Sequence, residues 1–134
     1  MAAKQKQPLD SNEVLVKSYA SAYALYKVGD YRRAQAAFIE LIKADPLNSS
    51  YWFGFGSCLQ MRRDYREALN AWRMTALLDD RNAICHFHAA ECCFSMHQID
   101  EGLTFLKGAE QRAPGKAWSK KISSLKQCWE SKVG

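Results

Sequence analysis

The sequence predicts an all-α fold: three antiparallel helix pairs stacked as a right-handed solenoid and closed by a C-terminal capping helix. Two observations carry this prediction. Sliding the 134-residue chain against itself gives a period of 34. Beyond the third period, Lys116 to Lys132 places Trp118, Ile122, Leu125 and Trp129 at helical spacing, as an element covering an open solenoid end would.

With Leu15, Ser49 and Ala83 as the first positions, seven columns repeat. Ala22/Gly56/Ala90 and Ala34/Ala68/Gly102 are small, so two helices can cross closely there. Leu25/Leu59/Cys93, Tyr31/Tyr65/Ile99 and Phe38/Trp72/Leu106 fill the space beside them, and Leu41/Thr75/Ala109 is a further packing column. Pro46/Asp80/Pro114 closes each unit, since proline cannot continue a helix. This is the tetratricopeptide pattern, one helix pair per 34 residues.

The elements follow in order. Residues 1–10 read as a flexible N-terminus, and 11–134 as a single domain. Helix pairs are expected near 12–28 and 31–44, 49–62 and 65–78, 83–96 and 99–112. The repeats run over about 15–48, 49–82 and 83–116, and the capping helix over 116–132. Val28-Gly29-Asp30 and Arg63-Asp64 separate the members of the first two pairs.

Composition narrows the function. The net charge is +5, but from Arg112 onward there are six basic residues and one acid, so residues 1–111 balance. A solvated face of the cap explains that excess better than a nucleic-acid surface, which would spread along the repeats. No stretch is long and apolar enough to span a membrane, and MAAKQKQPLD has no apolar core of a secretory signal. The five cysteines, Cys58, Cys85, Cys92, Cys93 and Cys128, read as reduced thiols of a cytoplasm.

The first helices of such repeats line a concave groove. The groove positions here are Val16, Tyr19, Tyr23 and Tyr26; Ser50, Phe53, Ser57 and Gln60; and Ile84, Phe87, Glu91 and Phe94. Six of these twelve are aromatic and one is charged, which suggests a surface for an apolar peptide. Packing of the tyrosines against the N-terminal segment or a second copy is the structural alternative. Glu91 either meets a cargo amide or basic side chain, or reaches solvent. The Lys and Asn residues that clamp acidic C-termini of heat-shock proteins are replaced by Tyr19, Tyr23, Gly54, Ile84 and His88, so that ligand class is excluded.

No chemistry-bearing constellation rises beside the groove. His88 and Cys92 share a helical face without paired C-x-x-C motifs, so no metal is expected. His86 occupies the packing position of Trp52. No nucleophile has an activating context and no glycine-rich phosphate loop is present, so neither enzymatic activity nor a cofactor is expected.

The third repeat is specific. Phe87-His88-Ala89-Ala90-Glu91-Cys92 resembles a run typical of the class II tetratricopeptide chaperones of bacterial type III secretion. Tyr19, Tyr23 and Tyr26 before Gly29-Asp30-Tyr31, and Tyr51-Trp52-Phe53-Gly54-Phe55-Gly56-Ser57-Cys58, extend the resemblance over about 15–112. It implies a bacterial cytoplasmic chaperone that keeps hydrophobic translocator subunits soluble. The groove would hold an extended segment near the cargo's N-terminus, with pocket residues at Tyr19, Tyr23, Tyr26, Phe53 and Phe87. Many members form a homodimer with the help of an N-terminal extension, which is short here. Some relatives carry effectors, so effector cargo is one alternative. A scaffold that binds a folded partner is the other.

Overall fold

A computed structural model of the chain describes residues 10–133, all of whose regular elements are helices. They are α1 (Ser11–Lys27), α2 (Tyr31–Ala44), α3 (Ser49–Met61), α4 (Tyr65–Leu78), α5 (Ala83–Ser95), α6 (Ile99–Arg112) and α7 (Lys116–Val133). Every expected helix is present, with ends within one residue of expectation. Residues 1–9 of the expected flexible N-terminus lie outside the described residues. Asp10, assigned to that terminus, instead caps α1: its Oδ1 accepts from Glu13 N–H at 2.8 Å.

The same turn recurs three times. Asp30, Asp64 and Gln98 N–H groups bond back to Leu25, Leu59 and Cys93 carbonyls, five residues earlier, ending α1, α3 and α5. The motif needs a left-handed residue, and Gly29, Arg63 and His97 supply it with φ of 83°, 63° and 59°. They are spaced by the repeat period, yet only the first is the glycine that adopts this conformation without steric cost. At the other junctions, Asn48 and Asn82 accept from Ser50 and Cys85 N–H groups, so each repeat opens on a capped helix.

Packing follows the columns. Ala22, Ala34, Ala68 and Ala90 are fully buried, and Gly56 and Gly102 are buried with them. A Cβ on Gly54 would fall on the Phe38 ring, and one on Gly102 on the Phe94 ring. Phe38, Trp72 and Leu106 are each at most 1% exposed. Three clusters of buried side chains result, around Phe38, Trp72 and Phe94. The third is completed from outside the repeats: Ile122 of α7 is 1% exposed, with Trp118, Leu125 and Trp129 packed around it. α7 therefore supplies the apolar face that a fourth repeat would have supplied.

Candidate functional site

The aromatic residues of α1 form one packed row. The Tyr19 ring lies 5.0 Å from Tyr23, 5.6 Å from Tyr51 and 6.2 Å from Phe38. Tyr23 in turn meets Phe38 edge-on at 5.6 Å, and Tyr26 meets Tyr31 at 5.4 Å. These rings anchor on buried Phe38 yet stay half-open themselves. Burial, and next the neighbouring Tyr19, pushes the Tyr23 hydroxyl far above the usual phenol range, and burial likewise raises Tyr26. Near neutral pH Tyr23 and Tyr26 therefore keep their hydroxyl protons and can donate.

A cleft of about 270 Å³ opens between α1, α3 and α5. Tyr19, Tyr23, Ser50, Phe53 and Ile84, all expected in the groove, line it together with Ser49, Asp79 and Asn82. Val16 stands beyond it on α1, 68% exposed. The cleft mixes ring faces with hydroxyl, amide and carboxylate groups, a surface suited to an extended segment that buries side chains while its backbone needs polar partners.

Toward α7 the groove positions behave differently. Phe94, expected to be open, is 2% exposed and stacked on Trp129, with centroids 4.6 Å apart and planes at 12°. It is a core residue. Phe87 is 5% exposed because Trp118 lies edge-on at 5.5 Å. Periodicity placed both on the right helix face, but α7 covers that face at the last repeat. Lys121 Nζ lies 4.8 Å over Trp118 and 5.9 Å over Phe87, which places one cation over this sealed aromatic pair.

The polar groove positions are tied into the frame. Gln60 Oε1 accepts from the Trp72 indole N–H at 2.9 Å and from the Cys92 thiol at 3.4 Å. Its Nε2 donates to Glu91 Oε1 at 3.1 Å. Ser57 Oγ donates to the Phe53 carbonyl at 2.9 Å. Glu91 Oε1 also meets His88 Nδ1 at 2.6 Å. Glu91 is therefore partnered inside the fold through one oxygen, while its side chain stays 35% exposed. His88, read from sequence only against the acidic clamp and a metal site, sits in the middle of the surface. The signal was its spacing three residues before Glu91, which puts the two on one helix face.

Elsewhere four of the five cysteines serve packing, while Cys128 is exposed. Cys58, Cys85, Cys92 and Cys93 are buried, and burial pushes the first three thiols up to about 11, about 12 and about 12. Among the described residues, no three His, Cys, Asp or Glu side chains are grouped to hold a metal. No described helix is long and apolar enough to cross a membrane.

The chain is similar to known proteins over most of its length. A family model described as anaphase-promoting complex, cyclosome, subunit 3, a tetratricopeptide-like family, matches residues 37–109, from α2 into α6. Low calcium response locus protein H of Yersinia pestis is 28% identical over 114 residues, covering 85% of this chain and 68% of that protein. The Yersinia enterocolitica type III secretion chaperone SycD, solved with a peptide of the translocator YopD, is 26% identical with a TM-score of 0.87, covering 91% of this chain and 96% of that one. SycD has also been solved in an alternative dimer. PcrH of Pseudomonas aeruginosa, solved with the chaperone-binding region of PopD, is 25% identical with a TM-score of 0.89, covering 97% and 100%. With more than half of its residues inside the family model, the chain belongs to that tetratricopeptide-like family, and its relatives place it among the class II tetratricopeptide chaperones of type III secretion.

Proposed function

We propose that this protein binds hydrophobic translocator subunits of a type III secretion system and keeps them soluble in the bacterial cytoplasm before export. An extended segment near the cargo's N-terminus lies in the concave groove. The observation that carries this reading is the half-open row Tyr19, Tyr23 and Phe53 bordering the cleft with Ile84. The translocator peptides bound by SycD and PcrH support it. Val16, Tyr26 and the rim of Phe87 extend the contact, while Ser57, Gln60 and Glu91 stiffen the wall. Residues 11–134 act as one domain and make or break no covalent bond.

The energetics suit a holder that later releases its client. Three apolar anchors contribute roughly 5–9 kcal/mol at about 1.5–3 kcal/mol each, and ordering the segment costs about 2–5 kcal/mol. The balance, about 0–7 kcal/mol, corresponds to a Kd of about 10 μM at best, so tighter binding needs further contacts such as backbone hydrogen bonds.

The test is co-expression with candidate translocators from the same bacterium, then co-purification and light scattering. The expected result is a soluble complex that Tyr23→Ala or Phe53→Ala weakens several-fold while helicity by circular dichroism is retained. The same measurement reads whether the free chain is a homodimer. Binding that survives both changes but is abolished by charge reversal at Lys120 and Lys121 would favour a scaffold for a folded partner. Insoluble translocators beside soluble effectors would move the cargo class to effectors.

A further inference from the structure

Among the described groove side chains, His88 has a hydrogen-bonding role that is fixed by its neighbours and left half unused. Its ring rests on Trp72, with centroids 5.0 Å apart and planes at 31°. Phe53 flanks it at 6.4 Å and Phe87 at 5.7 Å, both nearly edge-on. One face is therefore closed by the core, and the ring looks outward between two apolar groove positions. The side chain keeps 29% of its surface exposed.

The polar edge is equally constrained. A carboxylate only accepts, so the 2.6 Å contact with Glu91 Oε1 puts a proton on His88 Nδ1. Glu91 is itself held by Gln60 Nε2, and Gln60 by the buried Trp72 indole. This chain of bonds runs through three helices and holds one imidazole orientation. In the neutral ring Nε2 is then a lone-pair acceptor. It has no hydrogen-bond partner among the described residues and is not among their buried polar atoms.

An extended segment that buries apolar side chains here brings its own backbone N–H groups against rings, and an N–H left unpaired there is costly. Of the groove's side-chain acceptors, Gln60 Oε1 accepts twice and Asn82 Oδ1 accepts from Cys85 N–H, while the second carboxylate oxygen of Glu91 is the competing acceptor beside His88. We infer that His88 Nε2 accepts a backbone N–H of the bound cargo segment, with Glu91 as the residue that positions it. This inference rests on the groove reading above. It names a contact by main-chain chemistry, which lets one chaperone hold segments of different sequence.

The experiment is a thermodynamic cycle on the full chain. The probe is a set of overlapping synthetic peptides covering the N-terminal halves of the translocators from the same bacterium. The tightest binder is then remade with single backbone N-methyl groups. His88→Phe keeps a ring on Trp72 but removes the acceptor, and should weaken the unmodified peptide roughly three- to tenfold without lowering the thermal midpoint. His88→Gln, which retains a carbonyl acceptor, should recover part of that loss. One N-methyl position should weaken wild-type binding by a similar factor and have no effect on the His88→Phe variant. Wild-type binding with no such coupling overturns the inference alone. Coupling to Glu91→Leu but not to His88→Phe also overturns it, by moving the contact to the free carboxylate oxygen. If no peptide binds the wild type, the groove reading fails and the inference with it.

Discussion

The two ends of the solenoid use equivalent positions in opposite ways. In the first repeat, Tyr19 and Tyr23 lean on Phe38, Tyr26 leans on Tyr23 and Tyr31, and all three stay half-open. In the third, the counterparts of the first and last, Phe87 and Phe94, are closed beneath Trp118 and Trp129. The repeat determines which helix face a residue occupies. The next element along the stack determines whether that face is surface or core. The choice of side chain agrees: tyrosine, with a polar tip, stands where the face is open, and phenylalanine where it is sealed.

The largest effect should come from breaking the seal. Ile122→Ala removes a side chain that is 1% exposed at the centre of the α6–α7 packing, and should cost about 2–5 kcal/mol in urea unfolding. The loss should appear first in the emission of Trp118 and Trp129. If α7 were a loose appendage, those two indoles would respond while the stability of the repeats stayed unchanged.

A pair of glycines sharpens the contrast at smaller cost. Gly54→Ala would press on Phe38 beneath the tyrosine row, and Gly102→Ala on Phe94 beneath the cap. Each should destabilise by about 1–3 kcal/mol through overpacking. Their functional signatures should differ. Gly54→Ala disturbs the footing of Tyr19 and Tyr23 and should weaken cargo binding. Gly102→Ala should loosen Trp129 and leave binding by the open end nearly intact. Equal losses of binding would mean that the groove depends on the whole stack rather than on its open end.

The fold was legible because its signals are local and repeated. The small columns, the large apolar columns beside them and the closing positions act within one helix pair, so the copies reinforce one another. The cleft of the candidate site was legible at Tyr19, Tyr23, Phe53 and Ile84, where the face stays open. It was misread at Phe94, because covering that residue depends on Trp129, 35 positions later and outside the repeat. His88 was passed over for a similar reason. Its setting comes from Trp72 and Phe53 on two other helices, and the bonds that hold Glu91 beside it run through Gln60.

The smallest expected effect lies on the other side of the stack, where Trp52 and His86 occupy one repeat position. The Trp52 indole donates to the Pro46 carbonyl at 2.7 Å. One repeat later the matching carbonyl belongs to Asp80, and Arg112 Nε already donates to it. His86 Nε2 is left buried without a partner. Burial first, then the charge of Arg112, holds its pKa below the ordinary 6.5, with Asp80 opposing weakly. The folded chain thus keeps the ring neutral while the unfolded chain takes a proton near the ordinary value. As the pH falls through that value the unfolded state binds more protons, so the stability contributed above it is progressively lost. His86→Phe keeps a ring in the same space without the titration. Its stability should therefore fall less than that of the wild type between pH about 7.5 and about 5.5, as read by urea unfolding. His88 and His97 remain in both proteins and cancel in the difference. Equal slopes would show that Arg112, by taking the carbonyl the indole used, leaves His86 room to be solvated, and that a mismatch between repeats carries no acid sensitivity of its own.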